Sequence, residues 1–296
     1  MSPANPVAMP DGIASFGYVD TPLGEIAYRE FGDGPVALFL HGLPLSGEEW
    51  LPVMRDLADV RRCIAPDQLA LGASRPHGDS DLSYEGQARM LVEFLERLGI
   101  STVDLVGNDT GGGVAQIFAA RYPRHVRTLT LTNCEVHDCW PNALLKRFYA
   151  GVADGSVTGL FRSALGEPAL AVEHLGALVY ENAGFFDEGR VQRYLAPIVE
   201  NDERITMFGR LCDWRPSREQ IMRASGALRA SNIPAQVIWG TGDVVFDAEP
   251  SLQWLGENLG GLRRMVRVPR GKLFFPEEHP RVVSTLLAEF WGASVG

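Results

Sequence analysis

The chain has 296 residues, of which 46% are hydrophobic and 22% charged, and its formal net charge is −10. That length is enough for one large α/β domain with an insertion. The acidic excess disfavours nucleic acid and anionic membranes as partners, because both carry negative charge themselves. No apolar run is long enough to span a bilayer, and Met1 to Ile13 lacks the basic start and apolar centre of a signal peptide. We therefore expect a cytoplasmic monomer or homodimer that acts on a small molecule.

Short apolar runs that alternate with helical segments predict a mostly parallel β-sheet with helices on both faces, which is an α/β fold. A hairpin comes first, with its turn at Thr21 to Gly24. Further strands are then predicted at 36–40, 62–66, 103–107 and 127–133, and helices at 50–59, 82–98 and from residue 114 onwards.

The strand pattern stops after about residue 134 and resumes at 235–240 and 264–268, before a last helix at 280–291. Helical segments are predicted in the interval at 142–152, 173–180, 188–201 and 218–230. A helical block inserted between two strands is expected to cover the carboxyl ends of the strands, where open α/β sheets bind ligands. The predicted domains are therefore a core of residues 1–134 and 225–296 and a helical cap, or lid, of residues 135–224.

The stretch from Val103 to Gly113 predicts a strand, a very tight turn and a helix, with Asp109 at the apex of the turn. Gly107 and Gly111 stand where the G-x-S-x-G nucleophile elbow has its glycines, and Asp109 replaces the serine. The first amides of the following helix favour a negative charge at this place. A simple helix cap is the alternative role for this residue. The elbow frame favours Asp109 as the reactive carboxylate.

Four motifs occur in an order and spacing that resemble a known family: His41-Gly42-Leu43-Pro44, Asp67 to Ser74, Gly107 to Gly112, and Trp239 to Asp243. Together they resemble the α/β-hydrolase fold family, in its haloalkane dehalogenase and epoxide hydrolase-like branch with an Asp nucleophile. The resemblance covers nearly the whole chain. It implies that the Asp109 carboxylate attacks a carbon bearing a halide or an epoxide oxygen and forms an alkyl ester.

The resemblance also implies roles for other positions. The backbone N–H groups of Leu43 and Thr110 match the oxyanion hole. Asp243 matches the acid that orients the catalytic base, although a turn residue is the alternative. The side chains expected at the substrate pocket are His41, Asn108, Trp140 and Tyr149, of which His41 also braces the oxyanion loop.

One departure concerns the catalytic base, a histidine that the relatives carry in the loop after the last strand. The expected position holds Lys272. An ammonium group has no lone pair and cannot deprotonate water, so we expect Lys272 to form an ion pair with Asp243, Asp109 or both. His137 lies just beyond the strand that ends at Asn133, between two acidic neighbours, and is the candidate replacement base.

Other departures concern the leaving group. Dehalogenase relatives usually hold the halide with a tryptophan after the nucleophile and a polar side chain after the His-Gly pair, whereas this chain has Thr110 and Leu43. The cap is rich in aromatic residues, which predicts an apolar pocket. Epoxide hydrolases use lid tyrosines to protonate the epoxide oxygen, and the lid tyrosines here are Tyr149, Tyr180 and Tyr194, although packing is the favoured role for each.

The sequence thus predicts a hydrolase with a non-standard triad that acts on a small apolar electrophile, such as a haloalkane, epoxide or ester-like compound. The first alternative is a non-hydrolytic lyase, isomerase or cyclase that uses Asp109 as acid or base. The second is a ligand-binding protein that has lost hydrolysis. No metal or cofactor is expected, because metal-ligand spacings and the P-loop ending are absent from the sequence.

Overall fold

A computed structural model describes residues 7–8 and 15–292, so most of the segment Met1 to Ile13 lies outside the described residues. The strands are β1 (Val7–Ala8), β2 (Ser15–Thr21), β3 (Gly24–Phe31), β4 (Val36–Leu40), β5 (Arg62–Pro66), β6 (Arg75–Pro76), β7 (Val103–Asp109), β8 (Val126–Cys134), β9 (Ala235–Gly240) and β10 (Leu262–Val268). The helices are α1 (Leu51–Leu57), α2 (Tyr84–Arg97), α3 (Thr110–Arg121), α4 (Ala143–Ala153), α5 (Ser156–Gly166), α6 (Pro168–Ala171), α7 (Ala177–Val179), α8 (Glu188–Val199), α9 (Asp202–Leu211), α10 (Trp214–Ala230), α11 (Ala248–Asn258), α12 (Phe275–Glu278) and α13 (Pro280–Phe290). Short 3₁₀ or π turns lie at Gly47–Trp50, Pro123–His125, Val172–Gly176 and Ala183–Phe185.

The ten strands of the described residues form one sheet in the order β1-β2-β3-β5-β4-β7-β8-β9-β10, and β6 pairs with β3. The strands from β5 across to β10 are parallel, whereas the pairs that involve β2 and β3 are antiparallel. The predicted α/β architecture is therefore confirmed. Because β7 is central and covered on both faces, all seven of its residues are buried. At its carboxyl end Asp109 lies opposite Cys134 of β8.

The core consists of two apolar layers, one on each face of the sheet. On one face, Phe31, Trp50, Val106 and Val283 belong to a cluster that α1 and α13 cover. On the other face, α2 and α3 pack together, and α10 packs against α3. Helix α3 is buried along most of its length because it lies between the sheet and these neighbours. This arrangement fixes the start of α3, and with it Asp109, at the centre of the fold.

The insertion between β8 and β9 is helical, as expected. It contains α5 and α9, which the sequence pattern did not single out. Glycines at both ends of α5 lower its helix propensity. Tertiary packing compensates, since the ring centroids of Phe161 in α5 and Phe208 in α9 lie 5.9 Å apart. Helix α10 runs across the expected domain boundary at residue 224. Within the described residues, no helix is both long and apolar enough to cross a membrane.

Candidate active site

The sharp turn between β7 and α3 holds Asp109 at φ 49° and ψ −130°, a backbone conformation that non-glycine residues rarely adopt. Its neighbours explain why the turn requires glycine. A Cβ on Gly107 would lie 2.5 Å from the Gly111 carbonyl oxygen, and a Cβ on Gly111 would lie 2.3 Å from the carbonyl oxygen of Leu40. The elbow geometry expected from the sequence is thus present in the structure, and Asp109 itself is only 5% exposed.

The loop after β4 supplies a hydrogen bond to the Asp109 carboxylate. The Leu43 N–H donates to Oδ2 of Asp109 at 2.7 Å, and the structure gives Asp109 no other hydrogen bond among the described residues. His41 braces this loop, because its Nε2 accepts from the Gln68 N–H at 2.9 Å and its Nδ1 donates to the Gly42 carbonyl oxygen at 2.8 Å. Burial lowers the pKa of His41 to about 4, so it stays neutral and structural.

A cavity of about 100 Å³ lies in front of Asp109, between the core and the cap. One water needs about 10–15 Å³ by this measure, so the space suits a small molecule. Its walls are apolar apart from Asp109, Thr110 and Tyr149, and the lining residues are Leu43, Pro44, Leu45, Asp109, Thr110, Leu144, Leu145, Phe148, Tyr149, Leu175, Leu178, Val179, Phe186, Val245, Leu273 and Phe274. The Tyr149 hydroxyl makes no hydrogen bond to an acceptor among the described residues, so its proton is free for a ligand.

Glu135 is a buried carboxyl group next to Asp109 that was not among the expected site residues. It follows Cys134, the residue that lies opposite Asp109 in the sheet. The Tyr84 hydroxyl donates to its Oε1 at 2.7 Å, while its Oε2 is buried without a partner. Burial raises the pKa of Glu135 to about 7. Burial, followed by the charge of Glu135, also raises the pKa of Asp109, so the two groups favour a state in which one of them carries a proton.

Two further carboxyl groups surround the site, and neither has an imidazole or ammonium partner. Asp243 accepts from the Asn133 side-chain amide and from the Val245 N–H, both at 2.8 Å, and burial raises its pKa to about 6. Glu49 accepts from the Gly42 N–H at 2.8 Å. In the part of the chain that the structure describes, Asp109, Glu135 and Asp243 take part in no salt bridge. The same residues contain no group of three or more His, Cys, Asp or Glu that could hold a metal ion.

The predicted ion pair of Lys272 is wrong. Its Nζ donates to the Ala177 carbonyl oxygen at 2.5 Å, on the cap side of the loop, and it does not pair with Asp109 or Asp243. The residues of this loop that reach the cavity are the next two, Leu273 and Phe274. The physical reason is desolvation. Moving an ammonium group from water into an apolar cavity costs its hydration free energy, whereas moving a leucine side chain there is favourable. The loop therefore brings no ionisable group into the cavity.

His137 is also not brought to Asp109. Its backbone has φ 45°, and its ring stacks on Trp254 at 4.8 Å, while its Nδ1 lies 2.8 Å from Oδ1 of Asp138. It is absent from the cavity lining, where the described residues include no histidine at all. The expectation that His137 could act as the base needs this correction, because the positive φ and the stacking turn its ring towards α11.

Among the four side chains expected at the pocket, only Tyr149 lines the cavity. His41 braces the oxyanion loop as described above. Asn108 lies behind the wall, where its amide donates to Thr132 Oγ1 at 2.9 Å and to the Leu273 carbonyl oxygen at 3.0 Å. Trp140 stacks on Tyr84 with ring centroids 6.0 Å apart and meets Tyr149 edge-on at 6.4 Å. These three residues support the lining but do not form it.

Comparison with known proteins agrees with this architecture. The α/β hydrolase fold family matches residues 35–164. The chain is 41% identical over 108 residues to a haloalkane dehalogenase of Bradyrhizobium diazoefficiens, a match that covers 35% of this chain and 34% of that one. It is 24% identical over 294 residues to haloalkane dehalogenase 2 of Mycobacterium tuberculosis, covering 93% and 94% of the two chains.

A solved structure, that of the haloalkane dehalogenase DbeA from Bradyrhizobium elkani, superposes with a TM-score of 0.75 at 24% identity, covering 95% of this chain and 100% of that one. The chain spans about a third of the length of the Bradyrhizobium diazoefficiens relative, and 64% of the uncharacterised mycobacterial proteins to which it is 32% identical. The sheet order, the elbow and these likenesses show that the chain has the α/β-hydrolase fold, and its sequence is similar to those of haloalkane dehalogenases.

Proposed function

We propose that this chain is an enzyme that attacks a small apolar carbon electrophile with the Asp109 carboxylate and forms an alkyl–enzyme ester. The observation that carries the proposal is the position of Asp109, at the apex of the elbow, with one oxygen held by the Leu43 N–H and the carboxylate facing an apolar cavity. The step needs Asp109 ionised, with the proton of the carboxyl pair on Glu135. In such a cavity an ionised carboxylate is poorly solvated, which strengthens it as a nucleophile. The likeness to haloalkane dehalogenases supports the same chemistry.

An epoxide suits the cavity better than a haloalkane. The two positions that usually hold a departing halide carry Thr110 and Leu43, whereas the Tyr149 hydroxyl has a proton with no acceptor among the described residues. Burial and the nearby carboxylates raise the pKa of Tyr149, so it remains a protonated donor. In the proposed step Oδ1 of Asp109 bonds to a ring carbon, and the ring C–O bond breaks. Its electron pair goes to the oxygen, which takes the Tyr149 proton, and water restores that proton afterwards.

The second step, hydrolysis of the ester, is expected to be slow. Water must attack the ester carbonyl, where the Leu43 N–H would stabilise the oxyanion. The usual base is missing, because Leu273 occupies the loop position that faces the cavity and Lys272 is bound to the cap. General-base assistance is typically worth about 10²–10⁴ in rate, so its loss makes ester breakdown the slow step.

Mass spectrometry tests the ester directly. Under single-turnover conditions with epoxybutane, we expect the peptide that contains Asp109 to gain the full mass of the reagent. The Asp109→Asn variant should gain none, and in heavy-oxygen water any turnover should place solvent oxygen in the Asp109 carboxylate. The proposal fails if Asp109 never carries reagent mass, either with the epoxide or with bromobutane.

The role of Tyr149 is tested by comparing two reagents on one variant. Tyr149→Phe should slow the alkylation of Asp109 by epoxybutane about 100-fold or more, because it removes the proton donor. Displacement of bromide from bromobutane needs no proton, so that rate should stay within about twofold of wild type. An equal loss with both reagents would mean that the hydroxyl supports the shape of the cavity and is not the proton donor.

The missing base is tested by a matched pair of substitutions. Leu273→His puts an imidazole into the cavity, so the ester should be hydrolysed about tenfold faster or more. Lys272→His puts the same imidazole one position away, outside the lining, and should leave ester hydrolysis unchanged. Equal acceleration by both variants would contradict the assignment of Leu273 as the residue that faces Asp109.

A second candidate is a lyase, isomerase or cyclase reaction in which Asp109 acts as acid or base. The specific observation in its favour is the neighbouring Glu135, since two close buried carboxyl groups can hold and release a shared proton. It predicts turnover without any ester and without solvent oxygen in Asp109 or in the product. A bound small molecule that emerges chemically unchanged would instead indicate a ligand-binding protein.

A further inference from the structure

Among the residues that the structure describes, Tyr149 alone lines both the Asp109 cavity and a separate surface pocket of about 460 Å³. The pocket lies where α4, the end of α9 and the start of α10 meet. Its other lining residues are Lys146, Ala150, Val152, Ala153, Gly209, Cys212, Asp213, Trp214 and Arg215. Tyr149 thus borders both spaces and is half-buried.

The wall around Tyr149 is aromatic. Trp214 stacks on the Tyr149 ring with centroids 6.4 Å apart and an interplanar angle of 27°, and Phe148 meets it edge-on at 5.7 Å. Trp214 lines the surface pocket but not the Asp109 cavity. The two spaces also lie within electrostatic reach of each other, since burial and then the Asp109 charge raise the pKa of Cys212 in the outer pocket.

Another part of the cap that lines the cavity is tied to the core. We call the contact between cap residues 177–182 and loop residues 272–279 the clasp. Its hydrogen bonds run from Lys272 Nζ to Ala177 O at 2.5 Å, Phe274 N to Val179 O at 3.1 Å, Tyr180 OH to Glu277 Oε2 at 2.6 Å, and Glu181 N and Asn182 N to the Glu278 carboxylate at 2.8 Å each. Opening the cap here would break all of them at once.

A second anchor lies at α9. Arg204 is 4% exposed, and its guanidinium donates to three backbone carbonyl oxygens, at 2.9 Å each, of Pro197, Ser74 and Gly72. The cap is therefore held to the core along the clasp and along α9. On the α4 side, the Asn142 side-chain amide donates to the Val245 carbonyl oxygen at 2.9 Å, and Arg218 Nε donates to the Trp140 carbonyl oxygen at 3.0 Å. The Tyr149 and Trp214 side chains themselves make no hydrogen bond to the core among the described residues.

We infer that Tyr149, with Trp214 stacked behind it, is the gate through which substrate reaches Asp109. Rotation of one ring joins the surface pocket to the cavity, whereas any path through the clasp requires several hydrogen bonds to break. The gate admits small, uncharged, apolar molecules, because a charged one would lose its hydration between aromatic rings. Only the electrophilic nature of the substrate rests on the proposed function; the path itself does not.

The test uses an inert ligand, naphthalene, and the Asp109→Asn protein as the background, with binding followed by stopped-flow fluorescence. Trp214→Ala should raise the association and dissociation rate constants by the same factor, roughly fivefold or more, and leave Kd within about twofold. Tyr149→Trp should lower the association rate constant. As a matched control, Phe186→Leu changes a residue that lines only the cavity, and it should alter Kd rather than both rate constants in parallel.

Association rates that stay within twofold of the background in both Trp214→Ala and Tyr149→Trp would overturn the gate. In proteins that retain Asp109, Trp214→Ala should speed alkylation by a bulky epoxide such as styrene oxide more than alkylation by epoxybutane. If Asp109 is never alkylated but the naphthalene kinetics respond as described, the gate stands and the proposed function fails. If alkylation occurs and the kinetics do not respond, the gate fails alone.

Discussion

Replacing Glu135 by glutamine removes a buried carboxyl group while keeping an oxygen that can accept the Tyr84 hydroxyl. Glu135 is fully buried, and burial raises its pKa from the usual 4.5 to about 7. Between these two pH values the native protein holds a proton that the unfolded chain has released. The wild type is therefore fully stabilised by this group below about pH 4.5 and loses that stability as pH rises to about 7.

The difference between the two pKa values corresponds to a loss of about 3 kcal/mol in the free energy of unfolding of the wild type once the pH exceeds about 7. Urea unfolding should accordingly show that Glu135→Gln has nearly the same free energy of unfolding as wild type at about pH 4.5 and is more stable by up to about 3 kcal/mol at about pH 8. The control is Glu257→Gln, which removes an exposed carboxylate on α11 and should change little at either pH. If the wild type and Glu135→Gln have parallel pH profiles, Glu135 does not hold a buried proton and the reasoning is refuted.

Two further predictions concern charged side chains at the contact between the cap and the core. Arg204→Met should lower the free energy of unfolding by about 3 kcal/mol in urea titrations, because it leaves the carbonyl oxygens of Gly72 and Ser74 without their charged donor. A loss below about 0.5 kcal/mol would mean that water replaces the guanidinium. Lys272→Met should leave the pH dependence of Asp109 alkylation unchanged, because the ammonium contacts a carbonyl oxygen and not the carboxylate. If the midpoint of the pH profile moves to higher pH, the wild-type protein has the ion pair that was expected from the sequence.

The sheet was largely predictable because its strands are continuous apolar runs. The predicted ranges 36–40, 62–66 and 235–240 coincide with β4, β5 and β9. The elbow was predictable for a different reason, since glycines at 107 and 111 are required by close backbone contacts that any such turn must make. Both features follow from local chemistry, which a single sequence carries.

The neighbourhood of Asp109 was less predictable, because it depends on side-chain direction at the ends of strands. Glu135 approaches the site since it follows the residue opposite Asp109, and its partner Tyr84 lies 51 positions away in the chain. An acidic residue directly after the strand next to the elbow was the signal that could have found it. Lys272 and Leu273 differ by one position, yet only Leu273 reaches the cavity, and no sequence period exists in a loop to decide between them.

The clasp has a consequence for how the molecule opens. Several of its bonds use backbone amides, including those of Phe274, Glu181 and Asn182. In native-state hydrogen exchange these amides should therefore become accessible together, with an opening free energy close to that of the central strands and not that of a loosely attached lid. This stretch of the cap would then belong to the same cooperative unit as the sheet, so that motion near Asp109 is left to individual aromatic side chains.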